Sequence, residues 1–228
     1  MIETQPDVRF ERKFVAAGDQ YHHLRWWLRA RPDGFATAYP PRRINNAYFD
    51  RGSYQSFDES LSGVSERDKV RYRWYGPHDE PRSGQLEVKR RRNRVGWKLT
   101  FPVELDLPER PRWSRVLSDI SRSVPAAGRY WLAHFAVPML INRYQREYFV
   151  SADGSLRVTL DSCQQAFDQR YSSFVNTRQA VTLDDVVVME VKCAPDDVDA
   201  ASEVLSDLPI SVSRHSKYCS SLAALAGL

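Results

Sequence analysis

The sequence predicts an α+β fold in which eight antiparallel strands form a curved or closed sheet, a β-barrel, with helices packed outside it. Three observations carry this. Segments alternating apolar and charged residues recur along the chain, and period-two alternation marks a strand with two unlike faces. Short, turn-rich connections join several of these segments, which makes neighbours antiparallel. Amphipathic helical stretches lie between them and need an apolar surface to cover, which the apolar strand faces supply from outside. The charged faces are then left to converge on the interior.

Each element follows from its pattern. Residues 9–15 alternate, with Phe10 and Phe14 opposite Arg9, Glu11 and Lys13. Asp19 is placed to cap the next helix, where Tyr21, Leu24 and Leu28 form an apolar stripe. The Pro-rich residues 39–43 read as a loop, 44–50 as a second strand and 54–61 as a short helix. Residues 69–76, KVRYRWYG, place Lys69, Arg71 and Arg73 against Val70, Tyr72 and Trp74. After a turn-rich GPHDEPRSG, Leu86 and Val88 oppose Glu87 and Lys89; after a turn near Asn93, Trp97, Leu99 and Phe101 oppose Lys98 and Thr100. Helices are expected over 113–120 and 130–135. Strands follow over 140–150, where Arg143 and Gln145 share a side, over 156–161, with Arg157, Thr159 and Asp161 on the polar side, and over 186–193, with Glu190 and Lys192 there. Helices over 197–208 and 217–225 end the chain.

Composition sets bounds on function. The chain has 228 residues, 42% of them hydrophobic, enough for one large domain, taken as 1–228. Net charge is +4, yet residues 66–98 hold eleven Lys or Arg against five Asp or Glu. The remainder is therefore slightly acidic, and the basic segment predicts an anionic partner: nucleic acid, a phosphate compound or an acidic lipid. Cys163, Cys193 and Cys219 are far apart with no CxxC pair, which argues against a disulfide framework or structural zinc and for buried, reduced thiols. His22 and His23 are adjacent on a helix, face different ways and make no metal pair. The first residues lack a signal-peptide pattern and no run reaches the ~18 apolar residues of a spanning helix. A cytoplasmic protein is expected, one that a membrane-protein partner is able to recruit.

The inward cations on this reading are Lys13, Arg71, Arg73, Lys89, Lys98, Arg143, Arg157 and Lys192, against Glu11, Glu87 and Glu190, an excess of five. Burying one unpaired ion costs several kcal/mol even after relaxation, so a dry, filled barrel is excluded. The interior must hold water and a polyanion, and an eight-stranded barrel suits one slim ligand. A linear phosphate chain meets both the charge and the shape requirement.

These residues resemble a known family. FERKF (10–14), NAYFD (46–50), KVRYRWYG (69–76), LEVK (86–89), LRVTLD (156–161), MEVK (189–192) and SRHSKY (213–218) together look like the VTC-type polyphosphate polymerase domain of the triphosphate tunnel metalloenzymes, the group that contains the CYTH proteins. The resemblance implies an eight-stranded tunnel with Lys13, Arg71, Arg73, Lys89, Lys98, Arg143, Arg157 and Lys217 as phosphate ligands. It implies Glu190 as the carboxylate holding Mn²⁺ or Mg²⁺, with Glu11 and Glu87 as further metal or water-positioning candidates. Lys192 and His215, the latter between Arg214 and Lys217, are further phosphate contacts. Arg9 stands where the superfamily's ExExK signature has its first Glu, a departure that suits the VTC branch better than the thiamine triphosphatase branch.

The activity implied is transfer of the γ-phosphoryl group of ATP to a growing polyphosphate chain. Hydrolysis of tripolyphosphate or a nucleoside triphosphate by the same ligands, or non-catalytic polyphosphate binding, are the alternatives. Nucleic acid is disfavoured, because Tyr72 and Trp74 lie opposite Arg71 and Arg73, so stacking and charge do not converge as single-strand binding requires. Arg90, Arg91, Arg92 and Arg94 read as a solvated hairpin tip or an entry funnel rather than a sequence reader.

Overall fold

The computed structural model describes residues 10–93, 95–213 and 215–227; Arg9, Arg94 and Arg214, on which parts of the sequence reading fall, lie outside them. In chain order the elements are β1 (Phe10–Ala17), α1 (Tyr21–Ala30), β2 (Ala36–Asp50), α2 (Gln55–Leu61), β3 (Glu66–Tyr75), β4 (Gly84–Arg92) and β5 (Val95–Val103). There follow α3 (Trp113–Ser123), α4 (Ala126–His134), β6 (Val137–Val150), β7 (Arg157–Asp168), β8 (Ala180–Thr182), β9 (Val186–Cys193), α5 (Val198–Val204) and α6 (Lys217–Ala226). Eight strands form one antiparallel path in the order β1-β9-β7-β6-β2-β3-β4-β5, and the short β8 pairs with β7. The sheet curls into a half-barrel with helices outside. Its edges, β1 and β5, share no ladder among the described residues, yet Lys89 Nζ of β4 lies 3.6 Å from Glu11 Oε2 of β1. No described helix is long and apolar enough to cross a membrane.

The convex face holds the fold. Val70, Tyr72 and Trp74 of β3 and Leu86 and Val88 of β4 are fully buried against Trp113, Val116 and Ile120 of α3. A second cluster joins Phe14 of β1 and Met189 and Val191 of β9 to Leu24, Trp27 and Leu28 of α1 and Val204 of α5. Each large apolar side chain buried in this way contributes about 1.5–3 kcal/mol, which leaves the concave face free to carry charge. Asp19 does not cap α1: it sits in a 3-10 turn, Gly18–Gln20, and the helix begins with no side-chain cap. Packing of the stripe sets α1 in place, with Trp27 among its buried residues, while Tyr21 donates a hydrogen bond to Glu147 of β6.

Residues 39–43 are strand, not loop. β2 pairs with β6 from end to end, with Tyr39 opposite Tyr148 and Arg42 opposite Arg146. Three steps on β2 match two on β6, a bulge that accommodates Pro40 and Pro41, which have no N–H for the ladder. The β6–β7 ladder is also irregular, between Arg143 and Gln145, where Cys163 of β7 takes a left-handed φ of 53°. Cys163 is exposed, contrary to expectation; Cys193 and Cys219 are buried, and all three are free. One helix departs from the outer layer. α6 lies against the concave face, where Tyr218 stacks on Tyr48 at 5.2 Å and Ser221 Oγ accepts a hydrogen bond from Asn142 at 3.0 Å. The inner surface is apolar there, with Leu140 and Tyr48 meeting Leu222.

Candidate functional site

Ionic groups from seven strands and one helix meet on the concave face in three connected sets. In the first, Arg71 reaches Glu87 Oε2 through Nε and Nη2, both at 2.7 Å, and the Tyr48 hydroxyl through Nη1 at 3.3 Å. Lys98 Nζ holds Glu87 Oε1 at 2.8 Å, and Arg73 donates from Nε to Asn46 Oδ1 at 2.8 Å with Nη1 3.6 Å from Glu87. In the second, Lys13 lies 3.1 Å from Glu11 and 3.9 Å from Glu190, and Lys192 lies 2.5 Å from Glu190 and 3.7 Å from Glu11. In the third, Asp161, fully buried, accepts from Arg146 Nε at 2.5 Å and Nη2 at 2.7 Å, and from Lys217 Nζ at 2.6 Å. Both cations also lie over the Tyr144 ring. Lys69 donates to Ser216 Oγ at 2.9 Å beside the first turn of α6.

Among the described residues these sets hold nine cations (Lys13, Lys69, Arg71, Arg73, Lys89, Lys98, Arg146, Lys192, Lys217) against four carboxylates (Glu11, Glu87, Asp161, Glu190). The excess of five is what the sequence predicts, although its members differ. Burial alone raises the Glu87 carboxyl, but Arg71, Arg73 and Lys98 outweigh it and hold it well below the carboxylate range. Glu190 behaves likewise, burial being overcome by Lys192 and Lys13. The surplus cations show the opposite strain. Burial, with Arg67, Lys13 and Arg71 nearby, pushes the Lys69 amine down to about 8; burial and Lys13 push Lys89 down to about 8 against the pull of Glu11. Burial and the flanking Lys217 and Lys13 hold the His215 imidazole down at about 4. Desolvation is the largest cause of each of these shifts, with neighbouring cations adding to it, and an anionic ligand offsets both by supplying counter-charge.

Most of the expected residues converge. Lys13, Arg71, Arg73, Lys89, Lys98, Lys192, Lys217, Glu11, Glu87 and Glu190 all take part in the sets above. Arg157 shares the inner side of β7 with Asp161 but lies exposed at the strand's start, opposite Lys192, with no ion pair among the described residues. His215 touches the site through its backbone, its carbonyl oxygen accepting from Lys13 Nζ at 3.4 Å. Its buried Nε2 has no partner among the described residues.

Arg143 is a correction. It lies on the convex side, its guanidinium over the Phe167 ring at 4.7 Å, Nε donating to Asn45 Oδ1 at 3.1 Å and Nη2 2.9 Å from Asp79. The inner series of β6 is Asn142, Tyr144 and Arg146, so Arg146 is the guanidinium that the sequence reading missed. Ile141 carried the signal: as an outer-core residue it places 143 and 145 on its own side. Lys69 was legible on the basic face of β3 without being assigned a role, and Asp161 was legible only as a polar-side residue.

The carboxylates divide in their fitness for a metal. No group of three or more metal-ligating side chains occurs among the described residues. Mg²⁺ takes one or two carboxylates and completes its shell with phosphate oxygens and water; Glu11 and Glu190, bridged by Lys13 and Lys192, fit that demand for hard oxygen donors. Glu87 fits less well: Arg71 and Lys98 hold its two oxygens at 2.7 and 2.8 Å, whereas the lysines approach Glu11 only to 3.1–3.7 Å.

No curated protein sequence matches the chain. A Vibrio parahaemolyticus protein described as a candidate adenylate cyclase shares the fold at TM-score 0.51 and 9% identity, covering 97% of this chain and 99% of that one. PH1819 from Pyrococcus horikoshii OT3 aligns at TM-score 0.46 and 11% identity over 92% and 96% of the two chains. The model of the VTC domain matches residues 8–226, and with that span covering nearly the whole chain, the protein belongs to the VTC domain family, of CYTH-like tunnel fold.

Proposed function

We propose that the concave face binds a linear chain of phosphates and that the protein transfers the γ-phosphoryl group of ATP to the end of an inorganic polyphosphate, with Mn²⁺ or Mg²⁺ as cofactor. The observation that carries this reading is the surplus of five cations around a groove bounded by strands on one side and α6 on the other. Phosphoryl transfer asks a protein for in-line positioning and for neutralisation of the equatorial oxygens. Arg71, Arg73 and Arg146 offer planar forks for phosphate oxygens, and Lys13, Lys89, Lys98, Lys192 and Lys217 offer point charges. Glu87 and Asp161 orient those arginines. Glu190, with Glu11, is the group to hold the metal, which when bound supplies charge neutralisation across neighbouring phosphates.

The deciding assay incubates the protein with ATP and Mn²⁺ and separates long-chain polyphosphate, orthophosphate and ATP. Long chains are expected. Orthophosphate without chains makes the protein a hydrolase, and intact ATP with tight polyphosphate binding makes it a binding module. Glu190→Gln is expected to lower the rate at least tenfold and to raise the Mn²⁺ concentration giving half-maximal rate; full activity at unchanged Mn²⁺ demand removes Glu190 from the metal site.

Binding should also depend on pH through Lys69. Its amine titrates near 8 in the empty protein, and a bound polyanion keeps it protonated to higher pH. Affinity for tripolyphosphate therefore contains a factor that is complete at pH 7 and falls about tenfold by pH 9. Lys69→Arg, charged throughout, is expected to remove that component; titration calorimetry of both proteins across the range checks it, and superimposable profiles exclude Lys69 from the groove.

A further inference from the structure

Where β2 begins and β6 ends, the inner face changes from charged to aromatic. Tyr39 and Tyr148 face each other across the ladder and meet edge to face, 5.7 Å between centroids. The Arg42 guanidinium lies 5.5 Å from one ring and 6.0 Å from the other. The Pro40–Pro41 bulge creates this cluster. In a regular strand residues 39 and 42 point to opposite faces, and the one extra residue brings both to the same side. Tyr75 follows Arg71 and Arg73 on the inner side of β3 and sits opposite Ile44 of β2. These rings are little used by the core: Tyr39 is 57% exposed and Tyr75 39%.

The cluster adjoins the cations of the groove. Arg42 is paired in register with Arg146, and Tyr148 stands two residues beyond Arg146 on the same face, about 7 Å along the strand. That spacing equals the width of one sugar between a phosphate held at Arg146 and the rings. The geometry points to a nucleobase site: the base of a nucleoside triphosphate stacks on Tyr39, beside Tyr148 and Arg42, while its phosphates run inward past Arg146. Stacking on tyrosine and arginine faces tolerates any base, since every base offers a π-face, so the site selects nucleotides over bare phosphate chains and discriminates weakly among bases. This rests on the reading of the groove as a phosphate site and adds to it which end the nucleotide occupies.

The test compares two ligands on the intact chain by titration calorimetry: inorganic tripolyphosphate, and the non-transferable imido analogue of ATP. Tyr39→Ala is expected to weaken the nucleotide about tenfold and to leave tripolyphosphate within about twofold, which also shows that the variant is folded. Tyr39→Trp is expected to retain nucleotide affinity. Equal losses for both ligands, or no loss for either, overturn the base site while leaving the phosphate groove standing. Wild-type protein that binds neither ligand overturns both.

Discussion

Arg71→Ala is expected to weaken tripolyphosphate binding by about two orders of magnitude, while Arg92→Ala changes it less than about twofold. Arg71 lies partly buried on the concave face; Glu87 takes two of its five N–H donors and the Tyr48 hydroxyl a third, which leaves two for a phosphate. Two charge-assisted hydrogen bonds at about 1.5–3 kcal/mol each amount to at least 3 kcal/mol, roughly 100-fold in affinity. Arg92 pairs with Glu66 on an exposed surface, at 66% and 62% side-chain exposure, where an ion pair is worth little. Arg71→Lys should recover only part of the loss, because a point charge does not reproduce the fork. Calorimetry on the three variants decides the matter. Equal losses for Arg71→Ala and Arg92→Ala place the ligand somewhere other than this groove.

The second large effect separates the two arginines of β6. Arg146→Ala is expected to destabilise the fold by about 3 kcal/mol, since fully buried Asp161 then keeps only Lys217 and a buried ion deprived of a partner is costly. It also removes one of the three arginines assigned to the phosphates, and triphosphate affinity should fall at least tenfold. Arg143→Ala removes a clasp between β6 and Asp79 of the β3–β4 connection. Its cost in stability should be near 1 kcal/mol, with affinity essentially unchanged. Denaturant melts and ligand titrations on both variants test the assignment of faces. A loss of binding in Arg143→Ala that Arg146→Ala does not share contradicts it.

Much of this molecule was legible because burial imposes a period. In β3, Val70, Tyr72 and Trp74 must all face the core, so Lys69, Arg71 and Arg73 must face away from it. The same reasoning placed Glu87 with Lys89, and Glu190 with Lys192. It failed where a strand departs from strict alternation. Residues 39–43 looked like a loop because two prolines forbid regular pairing, and only the neighbouring β6 shows that a bulge absorbs them. In β6 the polar run Asn142 to Glu147 has charges on both sides, so alternation alone does not say which side is inner. Ile141 settles it, but only once its packing against the outer core is known.

What the linear chain determined by itself was the existence of two unlike sheet faces and an unbalanced positive charge, because both follow from residue type and period. What tertiary structure alone decided was which carboxylate meets which cation, that Arg146 rather than Arg143 faces the groove, and that α6 lines the concave side. Those outcomes depend on register, bulges and helix docking, which arise from contacts between residues as far apart as Asp50 and Tyr218, and no local pattern encodes them.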